Sequence, residues 1–418
     1  MSITTTLRTR RSQASPARGI PHLPPTTGLV LLASIAVTFL AASAAPTPLY
    51  AVYQAQWGFS PITTTVVFGV YAVAVLTALL TVGRLSDHLG RRPVLLTALA
   101  IQALSMVVFA TADGVPALLI ARVVQGVSTG AALGAIGAGM LDLDRARGTL
   151  ANAVAPGIGT ASGALVSGLV VQYLPAPTHL VYLALIGVFA LQAVGVLFTR
   201  ETVTRAPGAL ATLRPELRLP RSVRRPVLVA APVLFAVWSL AGLYGSLGPA
   251  LLRQLTGSKA VVLGGLALFV LAGVAAASVL ALRHVQPRAL MAIGIIALIG
   301  GVALTLVALG SGSAVAFFAG TMVAGVGFGS GFQGSVRTVL PLTAPHERAG
   351  VLSLLYVVSY LGLGVPAVGA GYLVVHGEGL LATTREYGLA VVALATLALV
   401  GLLRRRPASA LTTCPNAS

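Results

Sequence analysis

The sequence predicts an all-α polytopic membrane protein, with twelve transmembrane helices in two pseudo-symmetric six-helix bundles. Three observations carry this prediction. Of 418 residues, 56% are hydrophobic and 9% charged, and mean hydropathy is +0.93, whereas about a quarter of a soluble domain is charged. The apolar residues fall in long runs near the roughly 20 residues that cross a bilayer. The charges lie in the turns between runs. The formal net charge of +18 therefore reads as cytoplasmic loops at a membrane, not as a continuous basic face for nucleic acid.

Residues 1–27 are rich in Ser, Thr, Pro and Arg and read as a disordered tail, held in the cytoplasm by Arg8, Arg10, Arg11 and Arg18. The run Gly28–Ala45 ends in Ala42-Ser43-Ala44 and mimics a signal peptide. It is long for a signal core, and its loss would leave an odd number of spans, so it reads as an uncleaved first helix. Pro46 and Pro48 end or kink that helix, and Tyr50, Tyr53 and Trp57 suit an interfacial aromatic belt. Further spans are expected at Ile62–Val82, Val94–Ala112, Val115–Met140, Asn152–Leu174 and Leu180–Phe198. Segment 199–226, with Arg200, Arg205, Arg214, Arg218, Arg221, Arg224 and Arg225 among prolines, is a linker. Six more spans follow at Val227–Leu247, Val261–Leu282, Ala289–Leu309, Ala314–Val336, Gly350–Val375 and Tyr387–Leu403. The domain expectation is thus a tail, a bundle over 28–198, a linker over 199–226, a bundle over 227–403 and a cytoplasmic tail over 404–418. The single cysteine, Cys414, lies in that last tail, which excludes a disulfide framework and a cysteine metal site.

With both termini inside, the inner turns hold Arg84, Arg91, Arg92, Arg145, Arg147, the linker arginines, Arg283, Arg288, Arg337 and Arg348, and the chain ends its last span in Arg404-Arg405-Arg406. The outer turns hold only Arg253, Lys259 and Arg385 as cations. This bias orients the chain with both termini cytoplasmic, as a multi-pass protein of the cytoplasmic (inner) cell membrane. An internal repeat supports two halves. At an offset of 199 residues, Arg122, Gln125, Gly126 and Gly130 align with Thr321, Ala324, Gly325 and Gly329, and Arg147-Gly148 falls near Arg348-Ala349-Gly350. Span four thus matches span ten, as in halves related by a parallel pseudo-two-fold axis.

The most specific stretch is Gly83-Arg84-Leu85-Ser86-Asp87-His88-Leu89-Gly90-Arg91-Arg92-Pro93, between spans two and three. Gly83 and Gly90 permit a tight bend. Asp87 lies beside the start of span three, where a helix N-terminus favours an acid, and Arg91 and Arg92 face the anionic membrane surface. This stretch resembles the G-x-L-a-D-r-x-G-R-R/K loop of the major facilitator superfamily (MFS), with Ser86 and His88 in place of the usual small and basic residues. The resemblance implies the MFS fold, and a latch of Gly83, Asp87, Gly90, Arg91 and Arg92 that opens and closes during transport. The Pro46-Thr47-Pro48 segment loosely resembles the end of helix 1 in the drug-export families of this superfamily, but the acid those helices often carry is absent.

Arg122 falls early in span four, where a charge rarely faces lipid. Arg122, Gln125, Gly126 and Gly130 resemble the R-x-x-Q-G motif of MFS helix 4, whose arginine is implied to take part in proton coupling. Two readings stand side by side, a cavity-facing functional arginine and one that snorkels to the outer interface with Asp113 as its partner. In span five, Pro156, Gly157, Gly159, Gly163 and Gly168 resemble the Gly/Pro-rich helix of MFS antiporters, although its usual Gly-Pro and Gly-Gly order is not kept. Tight helix packing alone would equally explain them.

Polar and aromatic side chains within spans are candidates for lining a substrate cavity: Tyr71, Trp238, Tyr244, Gln333 and Tyr356, then Gln102, Gln192 and Tyr360. None of the nine acids falls in the middle of a span and all six histidines lie in tails or turns, so an aromatic, nearly neutral cavity would suit an apolar or weakly polar solute. No phosphate-binding G-x-x-x-x-G-K-[ST] loop occurs, so an ion or solute gradient must supply the energy. The sequence is therefore expected to encode a secondary transporter, most in character with proton-coupled efflux of a lipophilic drug-like compound or metabolite, with uptake by symport or facilitated diffusion as the alternative. Its expected partners are a small organic solute, protons and the bilayer, with no nucleic acid, no cofactor, no metal, no catalytic residue and a monomeric state. An integral-membrane enzyme would need a His, Asp, Glu or Cys cluster near one membrane face. A transport-dead scaffold would look the same in sequence.

Overall fold

Proline and glycine set the limits of the helices. In the computed structural model, which describes residues 22–215, 217, 219–258, 260–344 and 346–404, α1 (Pro25–Ala44) is interrupted at Ala45 and continues as α2 (Pro46–Trp57). There follow α3 (Pro61–Thr81), the short α4 (Ser86–Leu89), α5 (Arg91–Ala110), α6 (Val115–Leu143), α7 (Arg145–Tyr173) and α8 (Pro177–Leu197). The second half comprises α9 (Arg224–Ser246), α10 (Gly248–Thr256), α11 (Val262–Ala281), α12 (Pro287–Ser311), α13 (Ala314–Val339), α14 (Arg348–His376) and α15 (Leu380–Leu403). Pro25, Pro46, Pro61, Pro177 and Pro287 occupy the first helical position, where a missing N–H costs nothing. With α1 and α2 taken together, twelve helices are long and apolar enough to cross a membrane, and no strand occurs among the described residues. Residues 1–21, Arg218, Lys259 and residues 405–418, with the arginines and cysteine expected in the tails, lie outside the described residues.

Several expected limits move. The Pro46–Trp57 segment is helical and closes the first span, α15 starts at Leu380 and so takes in Arg385 and Glu386, and α7 starts at Arg145. The linker holds a 3-10 turn at Ala209–Leu213. Tyr50 and Tyr53 are 4% and 1% exposed, so they are core residues and not an interfacial belt.

The two halves pack alike. In the first, α1 lies on α7 and α6, α3 on α6, and α5 on α6 and α8; in the second, α9 lies on α14 and α13, α11 on α13, and α12 on α13 and α15. The close approach of α6 to α3 depends on glycine. A Cβ added at Gly126 would stand 3.0 Å from the Tyr71 carbonyl oxygen, and one added at its repeat partner Gly325 would stand 2.7 Å from that of Leu271 on α11. Across the halves, α3 meets α14 and α7 meets α11. The outward faces of α8 and α15 carry Leu191 (72% exposed) and Leu397 (69%), contiguous apolar surface that marks membrane contact.

The breaks in the first helix of each half meet at the centre. Pro249 has no N–H to continue the helical ladder, which leaves the Gly245 carbonyl free four residues earlier. Thr47 Oγ1, at the break of α1 and α2, donates to that carbonyl at 3.3 Å. Beyond the breaks, α2 and α10 both end at a left-handed glycine, Gly58 (φ 67°) and Gly257 (φ 64°). These two glycines are separated by the same 199 residues as the Arg122–Thr321 pair.

Candidate functional site

The Gly83–Pro93 turn is built by a glycine and three acids. Gly90 takes φ 103°, a conformation other residues rarely adopt, and it redirects the chain from α4 into α5. Arg91 is tied on three sides: Asp87 accepts from it in a short ion pair, Ser86 Oγ accepts from Nη1 at 2.7 Å, and Asp142 Oδ2 at the end of α6 accepts from Nε at 3.3 Å. Its side chain is 13% exposed, so it faces these acids and not a lipid surface. Arg92 takes part through its backbone. The acid at the start of α5 is not Asp87. It is Glu201 from the linker, whose carboxylate accepts the N–H of Arg91 (2.8 Å) and of Arg92 (3.0 Å), the free donors that open every helix. Thr202 Oγ1 donates to Asp142 at 2.9 Å, and the Ala206 N–H donates to the His88 carbonyl at 3.0 Å. The linker thus grips the turn. Sequence reasoning missed Glu201, although an acid set among linker arginines just after a span was a visible signal.

At the other end of the first half, Arg122 is fully buried. Its Nε and Nη2 donate to the Tyr50 hydroxyl at 2.9 and 2.5 Å, and its Nη1 to the Ser43 carbonyl (3.0 Å) and to Gln125 Oε1 (2.6 Å). Gln125 Nε2 donates to the Ala42 carbonyl at 3.0 Å. The missing N–H of Pro46 frees that carbonyl, so the helix break and the polar pair on α6 satisfy each other. The guanidinium also lies over the rings of Tyr71 (5.1 Å), Tyr50 and Phe109 (5.6 Å each), which lowers the cost of a buried cation. Asp113 is exposed and is not among these partners. Burial rules out the snorkelling reading.

The glycines of α7 divide between two faces. Gly159 and Gly163 pack on α1, at Leu40 and Ala41, within the first half, whereas Gly157 meets Ala276 and Gly168 meets Val262 and Gly265 of α11 in the second half. Pro156 lies inside α7.

Of the candidate cavity residues, Tyr71, Trp238, Tyr356 and Tyr360 come together. Phe68, Tyr71, Ala72 and Val75 of α3 form one cluster with Tyr360, Leu363 and Ala367 of α14, and Trp238 of α9 and Tyr356 pack against it. The Trp238 ring lies 5.1 Å from Tyr360, 5.8 Å from Phe332 and 6.0 Å from Phe328. Its indole Nε1 is buried without a hydrogen-bond partner, a donor with the capacity to serve a ligand. Tyr71 belongs to this cluster and also lies under Arg122. Tyr244 is elsewhere, in the core of the second half, with its hydroxyl 2.8 Å from Thr321 Oγ1. Gln333 is half-buried on α13 and joins neither group. Gln192 donates to Ser34 and Thr38 of α1, and Gln102 is fully buried with neither amide atom bonded.

Among the described residues no group of three or more His, Cys, Asp or Glu side chains could hold a metal ion. Comparison with known proteins points one way. The sequence profile of the Major Facilitator Superfamily matches residues 30–367. An uncharacterized transporter of Rickettsia bellii (strain RML369-C) is 42% identical over 74 residues, a stretch that takes in 17% of this chain and 18% of that protein. The fold is similar to that of a bacterial homolog of the human lysosomal transporter Spinster (TM-score 0.71, 14% identity, 92% of this chain and 99% of that one). It is also similar to the human organic anion transporter MFSD10 (TM-score 0.66, 19% identity, 91% and 100%) and to the nucleoside transporter NupG (0.64, 15%, 92% and 100%). A profile match over most of the length, twelve membrane-spanning helices and two halves that repeat each other's packing place this chain in the Major Facilitator Superfamily, as a membrane transporter of that kind.

Proposed function

We propose that this transporter exports a lipophilic, weakly polar organic solute across the cytoplasmic membrane by alternating access, in exchange for protons. The observation that carries this reading is the aromatic cluster between the halves, where Trp238, Tyr356 and Tyr360 of one half meet Phe68 and Tyr71 of the other and the Trp238 N–H has no partner. Rings on both halves offer stacking surface, and the free indole donor would orient one acceptor atom of a solute. Because the site is shared, rocking of the bundles 28–198 and 227–403 against each other would expose it to each side in turn. The Arg-rich turns suit a cytoplasmic face, which puts both termini inside and makes the Gly83–Pro93 turn, with Asp87 and Arg91, a cytoplasmic latch. Tyr71 touches both the aromatic cluster and Arg122, a route by which occupancy of the site would reach the R-x-x-Q-G motif for which the family resemblance implies proton coupling.

Uptake is the second reading. Among the described residues the hydrogen-bond partners of Arg122 are all neutral, so none of them is a carboxylate that would exchange a proton. The deciding experiment uses everted vesicles containing the protein, energised to an acid interior, with a panel of anionic, neutral and cationic lipophilic compounds. Compound-dependent collapse of the proton gradient, absent from vesicles without the protein, is the expected result. No response across the panel overturns proton-coupled export and favours uptake.

A further inference from the structure

Beyond the breaks at Ala45 and Leu247, α2 and α10 diverge and leave a cleft of about 720 Å³ between the halves. One wall is Ala51, Val52, Ala55 and Gln56 of α2, and the other is Arg253, Gly257, Ser258 and Val261. The cleft lies at the end of the molecule opposite the Gly83–Pro93 turn, which in the proposed orientation is the outer end. Two bonds between the halves flank it: Thr47 Oγ1 to the Gly245 carbonyl, in the buried interior, and the Val261 N–H to Gln172 Oε1 at 2.9 Å, at the exposed outer end of α7.

Among the described residues Arg253 is the one charged residue that lines it. It is half-buried, and burial alone pulls its guanidinium below the usual arginine range without removing the charge. Among the described residues its guanidinium makes no hydrogen bond or ion pair, and its carbonyl accepts only the Gly257 N–H. Its fork is therefore available to a carboxylate, sulfonate or phosphate, the groups that arginine matches bidentately. A cleft with a guanidinium in one wall and apolar residues in the other attracts anions.

We infer that this cleft is an outer binding site for an amphipathic organic anion, with Arg253 taking the carboxylate, sulfonate or phosphate oxygens and Ala51, Val52, Ala55 and Val261 covering the apolar body. The inference rests on the transporter reading and narrows the solute class to anions. It assigns Arg253 to capture or release at the outer mouth, separate from the aromatic cluster between the halves. The same oxygens could come from a free solute or from the headgroup of an anionic lipid.

The test is equilibrium binding of 2-naphthoate to the full chain, purified and placed in phosphatidylcholine nanodiscs, with 2-naphthamide as the neutral isostere. A charge-assisted contact to arginine predicts binding of the naphthoate about tenfold or more tighter than the amide. Arg253→Gln should remove that difference without changing amide binding, and Arg253→Lys should restore part of it. Equal affinity of the two probes, or a naphthoate preference untouched in Arg253→Gln, overturns the site. Nanodiscs containing phosphatidylglycerol separate the sources. Weaker naphthoate binding in the wild type alone supports the site with a lipid headgroup as its resident, and unchanged binding supports it with a free solute. Because binding is read without a gradient, loss of the site and failure of gradient collapse in vesicles are distinguishable results.

Discussion

Arg122 reaches from α6 to the hydroxyl of Tyr50 on α2, and 199 residues further on Thr321 reaches from α13 to the hydroxyl of Tyr244 on α9. The fourth span of each half is therefore tied to the first by a side chain on a tyrosine oxygen. In the second half a neutral threonine suffices, so the tie itself does not require a charge. On the proposed function, the charge of the first-half arginine serves coupling and not only the tie between helices.

This asymmetry gives the first prediction. Breaking a buried charged network by removing one partner strands the charge, whereas neutralising the charge leaves only polar groups to satisfy. Tyr50→Phe, which deletes one oxygen, should destabilise the purified protein by about 2 kcal/mol and lower its Tm more than Arg122→Gln does. Arg122→Gln should insert and fold, yet lose transport. A Tm order with Arg122→Gln well below Tyr50→Phe would make the arginine a structural strut.

The second prediction concerns the grip of the linker on the turn. Asp87→Asn keeps the shape at Arg91 but removes the charge, and should leave insertion normal with transport strongly reduced. Glu201→Gln removes the acid that accepts the Arg91 and Arg92 N–H groups, where the helix dipole favours a negative charge. It should also cut transport several-fold with little change in Tm, since one carboxylate at an exposed helix start contributes little to the stability of a twelve-helix protein. Initial rates in vesicles, normalised to protein in the membrane, decide it. Wild-type rates in Glu201→Gln would reduce the linker contact to a bystander.

Much of this architecture was legible in the sequence because hydropathy and charge placement are one-dimensional signals. The runs gave the spans, and the 199-residue repeat, read from a few glycines and an arginine, marks real packing: Gly126 and Gly325 sit against equivalent helices. What escaped was pairing across distance. Pro46 and Gln125 were each visible, but only the fold brings the Ala42 carbonyl that the proline frees to the glutamine that bonds it. Nearness in sequence points to Asp87 as the acid at the start of span three, while Glu201 reaches that place from 110 residues away. Tyr50 reads as an aromatic-belt residue in the sequence because composition cannot tell a tyrosine at an interface from one that holds a buried guanidinium. Tyr71, Trp238 and Tyr356 meet, but Tyr244 and Gln333 do not join them, since helix rotation decides which side of a span faces the other half.

The third prediction separates stability from motion on a single helix. Gly159 and Gly157 are two residues apart on α7 but face different partners. A Cβ at Gly159 would lie 2.9 Å from Leu40 Cβ of α1, and one at Gly157 would lie 2.9 Å from Ala276 Cβ and 3.1 Å from the Ala272 carbonyl oxygen of α11. Side chains added at either place force helices apart, which typically costs about 1–3 kcal/mol. Within a half, that strain falls on a contact that rigid-body rocking of the halves would leave in place, so Gly159→Val should lower Tm and the yield of folded protein. Between the halves, it falls on a contact that the proposed alternating access would loosen and remake. Gly157→Val should therefore fold with nearly wild-type Tm and disfavour the state in which α7 and α11 are in contact. Cysteine accessibility at introduced positions on the two membrane faces would read that shift, with Gly157→Val more open at the Gly83–Pro93 end than wild type, because Ala276 lies toward that end of α11. Equal loss of Tm in the two variants would mean that α7 and α11 form a fixed core, and the moving interface would have to lie elsewhere.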